Sequence, residues 1–569
     1  MVNLADDAWL PVRWNSGRRE RVSVRTALTR SEDVQGLAVE PLTMVPAVLR
    51  QVLLPVWLSA LGQPASDKEW SEQFARAVLD TQQLRKLNAY LDQWRSSFDL
   101  FSRERPFAQV AGLATASGET KPVSLLVPSV ATGNNVPMFT PFTEAHTYEM
   151  APEDAALWLL HAHCWDTAAI KSADKHDRQA KNGKTTGNPT GPLGQLGVLL
   201  PEGRTLYETL LLNSPVSWDA DAHSDAAGSR QDRPQWERGP HTSAWSKRPT
   251  TGLLDTLTWQ ARRIRLVPED TDEGVRVRRV VVCAGDRMAE RPVPATEPHT
   301  AWNYSAKPKK GDPPMKPRRH RPGEHAWRGL AAVLGLGREE DGDGPRTSTL
   351  LEQVGAMRST GHLPEDYALQ VLTCGLEYGN MSAVVEDAAG DRIPLPTTAL
   401  VADSRTRASV LEATGQAEEV ARALNALSAD LRRAQGAAPI PWDKGQRPGL
   451  TFLLSVDLPM RRLLRGMRKD AADPERVEAG MAAWEEILFR LAWDTAGTLL
   501  ASASPSTFAG RKASATKTYR AADAERIFRN ALKDILWRAA EARPPEQDTG
   551  ADTDACPDEP DDGEGEERP

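Results

Sequence analysis

The tightest cluster of potential ligands in the chain is His161, His163, Cys164 and Asp166, in the run HAHCWD. Imidazole, thiolate and carboxylate together make the donor set of a transition-metal site, and a metal there would activate water for hydrolysis. The spacing argues otherwise. The run closes PEDAALWLLHAHCW, an amphipathic helical pattern over 152–165 with Pro152 in its first turn. Residues two apart on a helix point roughly 200° apart, so His161 and His163 do not share a face. They are expected to be core and boundary residues. A metal-dependent hydrolase using His161, His163, Asp166 and a distant carboxylate stays open as the alternative, and a stoichiometric bound metal would favour it. The chain has no G-x-S-x-G, no Walker phosphate loop, no G-x-G-x-x-G after a strand and no H-E-x-x-H. The expectation is a binding protein and not an enzyme, with no metal and no cofactor.

A second chemistry is better represented. The crossover Lys171–Gly197 carries Lys171, Lys175, Arg178, Lys181 and Lys184, then Gly183, Gly187, Gly191, Gly194 and Gly197. Cations pair with a phosphate backbone, and glycines allow close backbone approach. Two more stretches, 131–146 and 285–328, combine polar or basic residues with Gly or Asn and aromatics. Lys307 to Arg328 holds eight Lys/Arg against Asp312 and Glu324. Loops of this composition position phosphates and approach the minor groove, so nucleic acid is the expected ligand. The competing reading of each stretch is a solvated surface loop.

These loops need a scaffold. Residues 3–28 read as a hairpin, with Trp9, Leu10 and Val12 before the turn NSGRR and Val22 and Val24 after it. Residues 40–62 form a buried helix broken or kinked at Pro46 and Pro55. Trp70, Phe74, Leu87, Leu91 and Trp94 mark a helical pair over 68–98, and TLYETLLLN a helix over 205–213. Strands are expected over 251–285 and in LQVLTCGLEYGNMSAVVED. From about 400 the period changes to three and four, giving helices over 405–435, 458–470, 474–503 and 518–542. The fold class is α+β, with a mixed α/β N-terminal domain over 1–398, a four-helix bundle over 399–543 and a disordered acidic tail over 544–569.

Composition bounds the partners. The tail holds eleven carboxylates and one arginine, a net −10; the whole chain is at −8, which leaves residues 1–543 at +2. Cys164, Cys283, Cys374 and Cys556 show no C-x-x-C spacing, which argues against disulfides and zinc knuckles. Mean hydropathy is −0.49, and no run of 18 apolar residues predicts a membrane span. The N-terminus lacks a signal-peptide pattern, so a cytoplasmic location is expected.

The ordered series NLADDAWLPVRWNSG, RPFAQVAGL, AAIKSA, GNPTGPLGQLG, TLLLN and GLLDTLTWQARRIRL, followed by the helical C-terminus, resembles the CasA family, the large subunit of the type I-E CRISPR complex Cascade. The resemblance covers about residues 1–540. It implies partnership with crRNA and the other Cascade subunits, recognition of the protospacer-adjacent motif in double-stranded DNA through the minor groove, duplex opening with R-loop formation, and recruitment of a helicase-nuclease. Guide pairing reads the target while protein reads a short flanking motif. The family's glycine loop falls on Ala169, Ile170, Lys171 and Ser172, where its glycines are absent; Gly191 and Gly194 are secondary candidates. Its wedge pair matches Asn380 and Met381, with Met in place of Gln. Its lysine finger falls near Arg287 and Arg291. The loop meeting the crRNA end and a neighbouring subunit falls on 133–142, with Asn134, Asn135, Met138, Phe139 and Thr140. The cysteine zinc cluster of some relatives has no counterpart around Cys283, so no metal is expected there.

Overall fold

A computed structural model describes residues 2–130, 148–216, 232–335, 344–441, 447–512 and 518–541. The N-terminal hairpin forms as expected. β1 (Leu10–Trp14) pairs antiparallel with β2 (Arg19–Val22), and β3 (Val34–Leu37) adds to its other edge. Val24 leaves the strand and opens a short helix capped by the Ser23 hydroxyl.

Pro46 and Pro55 do not break the next segment. Met44–Leu61 is one helical run whose middle turn, Leu49–Leu53, is a π-helix. Pro46 lies in the first turn, where no N–H is needed, and the widened turn directly precedes Pro55. By length and hydropathy (18 residues, mean 1.6) this run could cross a membrane, contrary to the expectation that no such stretch exists; 83% of it is buried within the protein.

Helix α1 (Pro152–Trp165) has the expected bounds but is not amphipathic: eleven of its fourteen residues are buried. It is a core helix, polar only where its histidines find partners. The crossover that follows ends in β4 (Val198–Glu202). Downstream, Leu253–Leu257 is a short helix where a strand is expected, because Asp255 bonds locally to Thr251 and Arg248. β5 (Arg262–Thr271) and β6 (Gly274–Ala284) then form a long antiparallel hairpin. β7 (Gln370–Tyr378) and β8 (Val385–Pro394) form a second one, and β4 pairs with the outer edge of β7. That sheet ties the end of the crossover to the 380–381 hairpin.

Four helices follow: α2 (Arg405–Gln435), α3 (Pro448–Asp470), α4 (Pro474–Ala501) and α5 (Ala521–Ile535). Helix α2 packs against the other three, and α3 against α4. α3 begins ten residues before the expected 458. Pro459 lies inside the helix, while Pro448 takes the tolerated first position. Ser404 and Asp473 cap α2 and α4, and Gly436 ends α2 in the left-handed conformation. The fully buried Glu485 of α4 accepts from Gln416 of α2 (2.7 Å) and from Arg538 (2.7 Å), clamping the C-terminal segment Trp537–Glu541 onto both helices. The apolar core runs without interruption from Leu4 to Ala539, and Arg461 of α3 grips Asp391 of β8 through two 2.7 Å bonds. The acidic tail lies outside the described residues.

Candidate nucleic-acid interface

Helix α1 ends at Trp165, and the chain turns at Asp166 into the candidate loop. Asp166 is the hub of that turn. Its carboxylate accepts from Lys171 Nζ at 2.7 Å and from Arg262 Nε, and its carbonyl accepts from Gly191 N at 2.8 Å. Arg262, 1% exposed, also donates to Thr167 O (2.8 Å) and Pro189 O (2.7 Å). Both ends of the crossover are thereby pinned to one buried cation. Burial alone would raise the Asp166 carboxyl; the Lys171 ammonium and Arg262 guanidinium more than offset it and hold the group at about 2.

This geometry corrects the expected surface. The Lys171 side chain is only 10% exposed and faces Asp166, not solvent. The exposed cations of the crossover are Lys175, Arg178, Lys181 and Lys184. Gly191 and Gly194 are buried packing positions: a Cβ at Gly191 would collide with the Cys164 carbonyl, and one at Gly194 with the Tyr378 hydroxyl. The reason is steric, since the returning chain crosses directly over the end of α1. Gly183 and Gly187 instead serve turns, with φ of 68° and 69°.

The structure brings Ala169–Ser172 and Asn380–Met381 together. Ala168 N donates to Ser382 O at 2.8 Å, and the Tyr378 hydroxyl donates to Trp165 O at 2.6 Å. The hairpin tip is thus tied to the turn after α1 from two points. Ile170 and Met381 stand out from it, 60% and 87% exposed. Met381 and Ser382 both hold positive φ, 53° and 55°, a conformation unfavourable for non-glycine residues that fixes an exposed apolar side chain at the tip. Asn380 is exposed beside it, Ala169 and Ser172 are half-buried, and Lys171 and Ser172 pair with Lys184 and Thr185 in a two-residue ladder.

Arg287 and Arg291 part company. The Arg287 guanidinium stacks 4.0 Å from the Trp245 ring centroid and donates to Thr186 O (2.8 Å), so it braces the crossover. Arg291 is well exposed and pairs with Asp312 at 3.1 Å. A crevice of about 410 Å³ separates the crossover near Pro189–Leu196 from the stretch that carries Arg291, with Lys247 on its wall. The candidates Asn134, Asn135, Met138, Phe139 and Thr140 lie outside the described residues.

The histidines do not converge. His161 Nε2 lies 3.0 Å from Thr43 Oγ1, and His163 Nε2 lies 2.9 Å from Ala108 O. Burial pushes His161 down to about 3 and His163 to about 4, and pushes the Cys164 thiol up to about 12. Among the described residues, one group of acidic and imidazole side chains is close enough to share a cation: His325, Asp391 and Asp457. Arg461 already occupies both of its carboxylates.

Sequence reasoning passed over Tyr378, Trp245 and Arg262, which position the loop, and read Asp166 only as a metal ligand. Tyr378 lies two residues before the tip, which was the one signal available.

Comparison with known proteins settles the family. The model of the family described as CRISPR-associated protein Cse1 matches residues 3–495. The chain belongs to the Cse1 family. It is 31% identical over 280 residues to a CRISPR-associated protein CasA/Cse1 of Thermus thermophilus, a match covering 48% of this chain and 50% of that protein. The chain thus spans about half the length of the curated relative it matches. The crystal structure of Cse1 from Thermobifida fusca superposes with a TM-score of 0.80 at 30% identity, covering 95% of this chain and 98% of that one. A chain from a structure described as a CRISPR RNA-guided surveillance complex shares the fold at 18% identity and a TM-score of 0.58, covering 95% and 97%. This Cse1-family chain therefore carries its candidate loop and hairpin on a scaffold common to these proteins.

Proposed function

We propose that this chain is the large subunit of a crRNA-guided type I-E Cascade surveillance complex, cytoplasmic and non-catalytic. In it the chain reads the protospacer-adjacent motif of double-stranded DNA through the minor groove, promotes duplex opening and R-loop formation, and recruits the helicase-nuclease. The observation that carries the reading is the composite tip. Two segments more than 200 residues apart, both implicated by the family resemblance, are tied by the Ala168–Ser382 and Tyr378–Trp165 hydrogen bonds into one protruding edge. An apolar side chain at such an edge can enter a base step and unstack it, at a cost of a few kcal/mol that phosphate contacts offset. Lys175, Arg178, Lys181, Lys184 and Arg291 supply those contacts nearby. Asn380 is a donor and acceptor for the degenerate minor groove.

Residues 1–398 form the nucleic-acid-contacting domain in this reading, residues 399–543 a four-helix bundle facing other subunits, and 133–142 the contact with the crRNA end. The deciding experiment measures target binding by complexes reconstituted with and without the chain, on duplexes with and without the flanking motif. Motif-dependent affinity is expected only when the chain is present. Equal affinity and motif preference in its absence would sink the proposal. Replacing Asn380 and Met381 with Ala tests the tip separately: unchanged duplex opening would remove the site assignment and leave the subunit role standing.

A further inference from the structure

Helices α3 and α4 pack against each other but leave an opening along one face. A groove of about 210 Å³ runs between them, floored by Leu463, Met467, Val477 and Ile487. Gly466 and Gly480 keep it open: a Cβ at Gly466 would meet nothing within 4 Å, and one at Gly480 only Leu463 Cδ1 at 3.8 Å. Trp484 lines the groove. It is 2% exposed, and its indole N–H has no acceptor among the described residues. Asp470 and Arg476 line the rim and pair with each other at 3.2 Å, which leaves Arg462 as the free charge at the edge, and Arg465 and Lys469 continue the same face of α3 at helical spacing. None of the three is in an ion pair among the described residues.

An apolar slot flanked by cations suits a polyproline II segment bearing acidic residues. The chain contains such a segment in its own tail: Pro557-Asp558-Glu559-Pro560-Asp561-Asp562. We propose that this Pro-x-x-Pro segment docks in the α3–α4 groove of its own chain. Its prolines enter the slot, and its carboxylates face Arg462, Arg465 and Lys469. The tail reaches. The described chain ends at Glu541, on a segment held to α4 by the 2.7 Å Arg538–Glu485 pair. Fifteen residues separate Glu541 from Pro557; extended, they span roughly 50 Å, several times the roughly 10 Å width of the helix to be rounded. Docking covers the basic face of α3 with the chain's most acidic stretch.

The test uses the full chain and a fluorescein-labelled peptide of residues 552–565 carrying Cys556→Ser, read by anisotropy. A flexible tether gives an effective concentration of roughly 1 mM, so a tail with an affinity of tens of micromolar blocks its own groove. Native chain is expected to bind the peptide at least tenfold more weakly than a chain carrying Pro557→Ala and Pro560→Ala. In that double variant, either Gly480→Leu or Arg462→Glu with Arg465→Glu should abolish peptide binding while the melting transition stays cooperative. Equal binding to the native and double-variant chains overturns the proposal. So does binding that survives both groove substitutions, or binding lost only on Lys307→Glu, Lys309→Glu and Lys310→Glu.

Discussion

Replacing Asp166 with Asn keeps the shape of the turn after α1 and removes its charge. Lys171, 10% exposed, and Arg262, 1% exposed, then lie together without a counter-ion. The size of the loss follows from the carboxyl itself. Its value falls from 3.8 to about 2 on folding, and at about 1.4 kcal/mol per unit the ion pairs, net of the carboxyl's own burial, contribute on the order of 2–3 kcal/mol at neutral pH. Leaving a buried charge uncompensated costs about 3–5 kcal/mol in comparable pairs, so about 3 kcal/mol is expected. Urea denaturation at pH 7.5 measures it. A second variant isolates the cause: Asp166→Asn with Lys171→Met removes one stranded cation and should recover about half of the loss. Motif-dependent binding by the assembled complex should fall with the first variant and partly return with the second, because the loop is held by charge and not by Lys171 touching DNA. A loss below about 0.5 kcal/mol, or a double variant no more stable than the single one, would refute the hub.

Met381→Ala with Ile170→Ala should leave the melting temperature within about 1 °C, as both side chains are exposed, yet slow R-loop formation several-fold in a stopped-flow assay. Stability should fall on acidification. His161 and His163 stay neutral when folded, at about 3 and 4, while unfolded imidazoles take protons near 6.5; the unfolded state binds more protons between those values, so stability is full above about pH 7 and drops by about 1.4 kcal/mol per unit per histidine below pH 6.5. Denaturation midpoints at pH 7.5 and 5.5 read this, and His163→Gln should flatten the slope. Arg538→Met should cost about 3–5 kcal/mol by stranding the fully buried Glu485, whereas Glu485→Gln with Arg538→Met should cost less, by the same denaturation assay. Gly191→Ala should destabilise by more than 2 kcal/mol, because its Cβ meets the Cys164 backbone.

Elements whose apolar periodicity reports a buried face were legible in the sequence. α1 has its expected bounds, β7 and the helices α2 and α4 lie within a few residues of theirs, and β8 runs seven residues past the expected stretch. Proline is the clearest case. Pro55 was read as a break or kink but follows a π turn that keeps the run continuous, and Pro459 sits inside α3, which begins ten residues before the expected 458. Whether a proline ends a helix depends on whether its missing hydrogen bond and ring can be accommodated, which a single residue letter does not encode. The amphipathic reading of α1 failed too, because its polar residues are buried against partners the local sequence does not show: Thr43 for His161 and Ala108 for His163, 118 and 55 residues away.

The candidate site shows the same limit more sharply. Charge and glycine content drew notice to Lys171, Gly191 and Gly194 as groups for a polyanion, and in the fold all three face inward. What turns them inward is Arg262, whose sequence neighbours are strand residues and whose partners lie 73 to 96 residues earlier. A buried arginine neutralised by one aspartate can hold two chain crossings, and the cations left outside that pair become the ones free to meet phosphate. Composition therefore picked out the loop but not which of its cations reach solvent. The apolar tip at Ile170 and Met381 was accessible only by joining two distant motifs, because the bonds that unite them, Ala168 to Ser382 and Tyr378 to Trp165, involve backbone carbonyls that any residue supplies. Backbone pairing of that kind leaves no trace in residue identity, so the joint edge emerges at the level of the fold and not of the sequence.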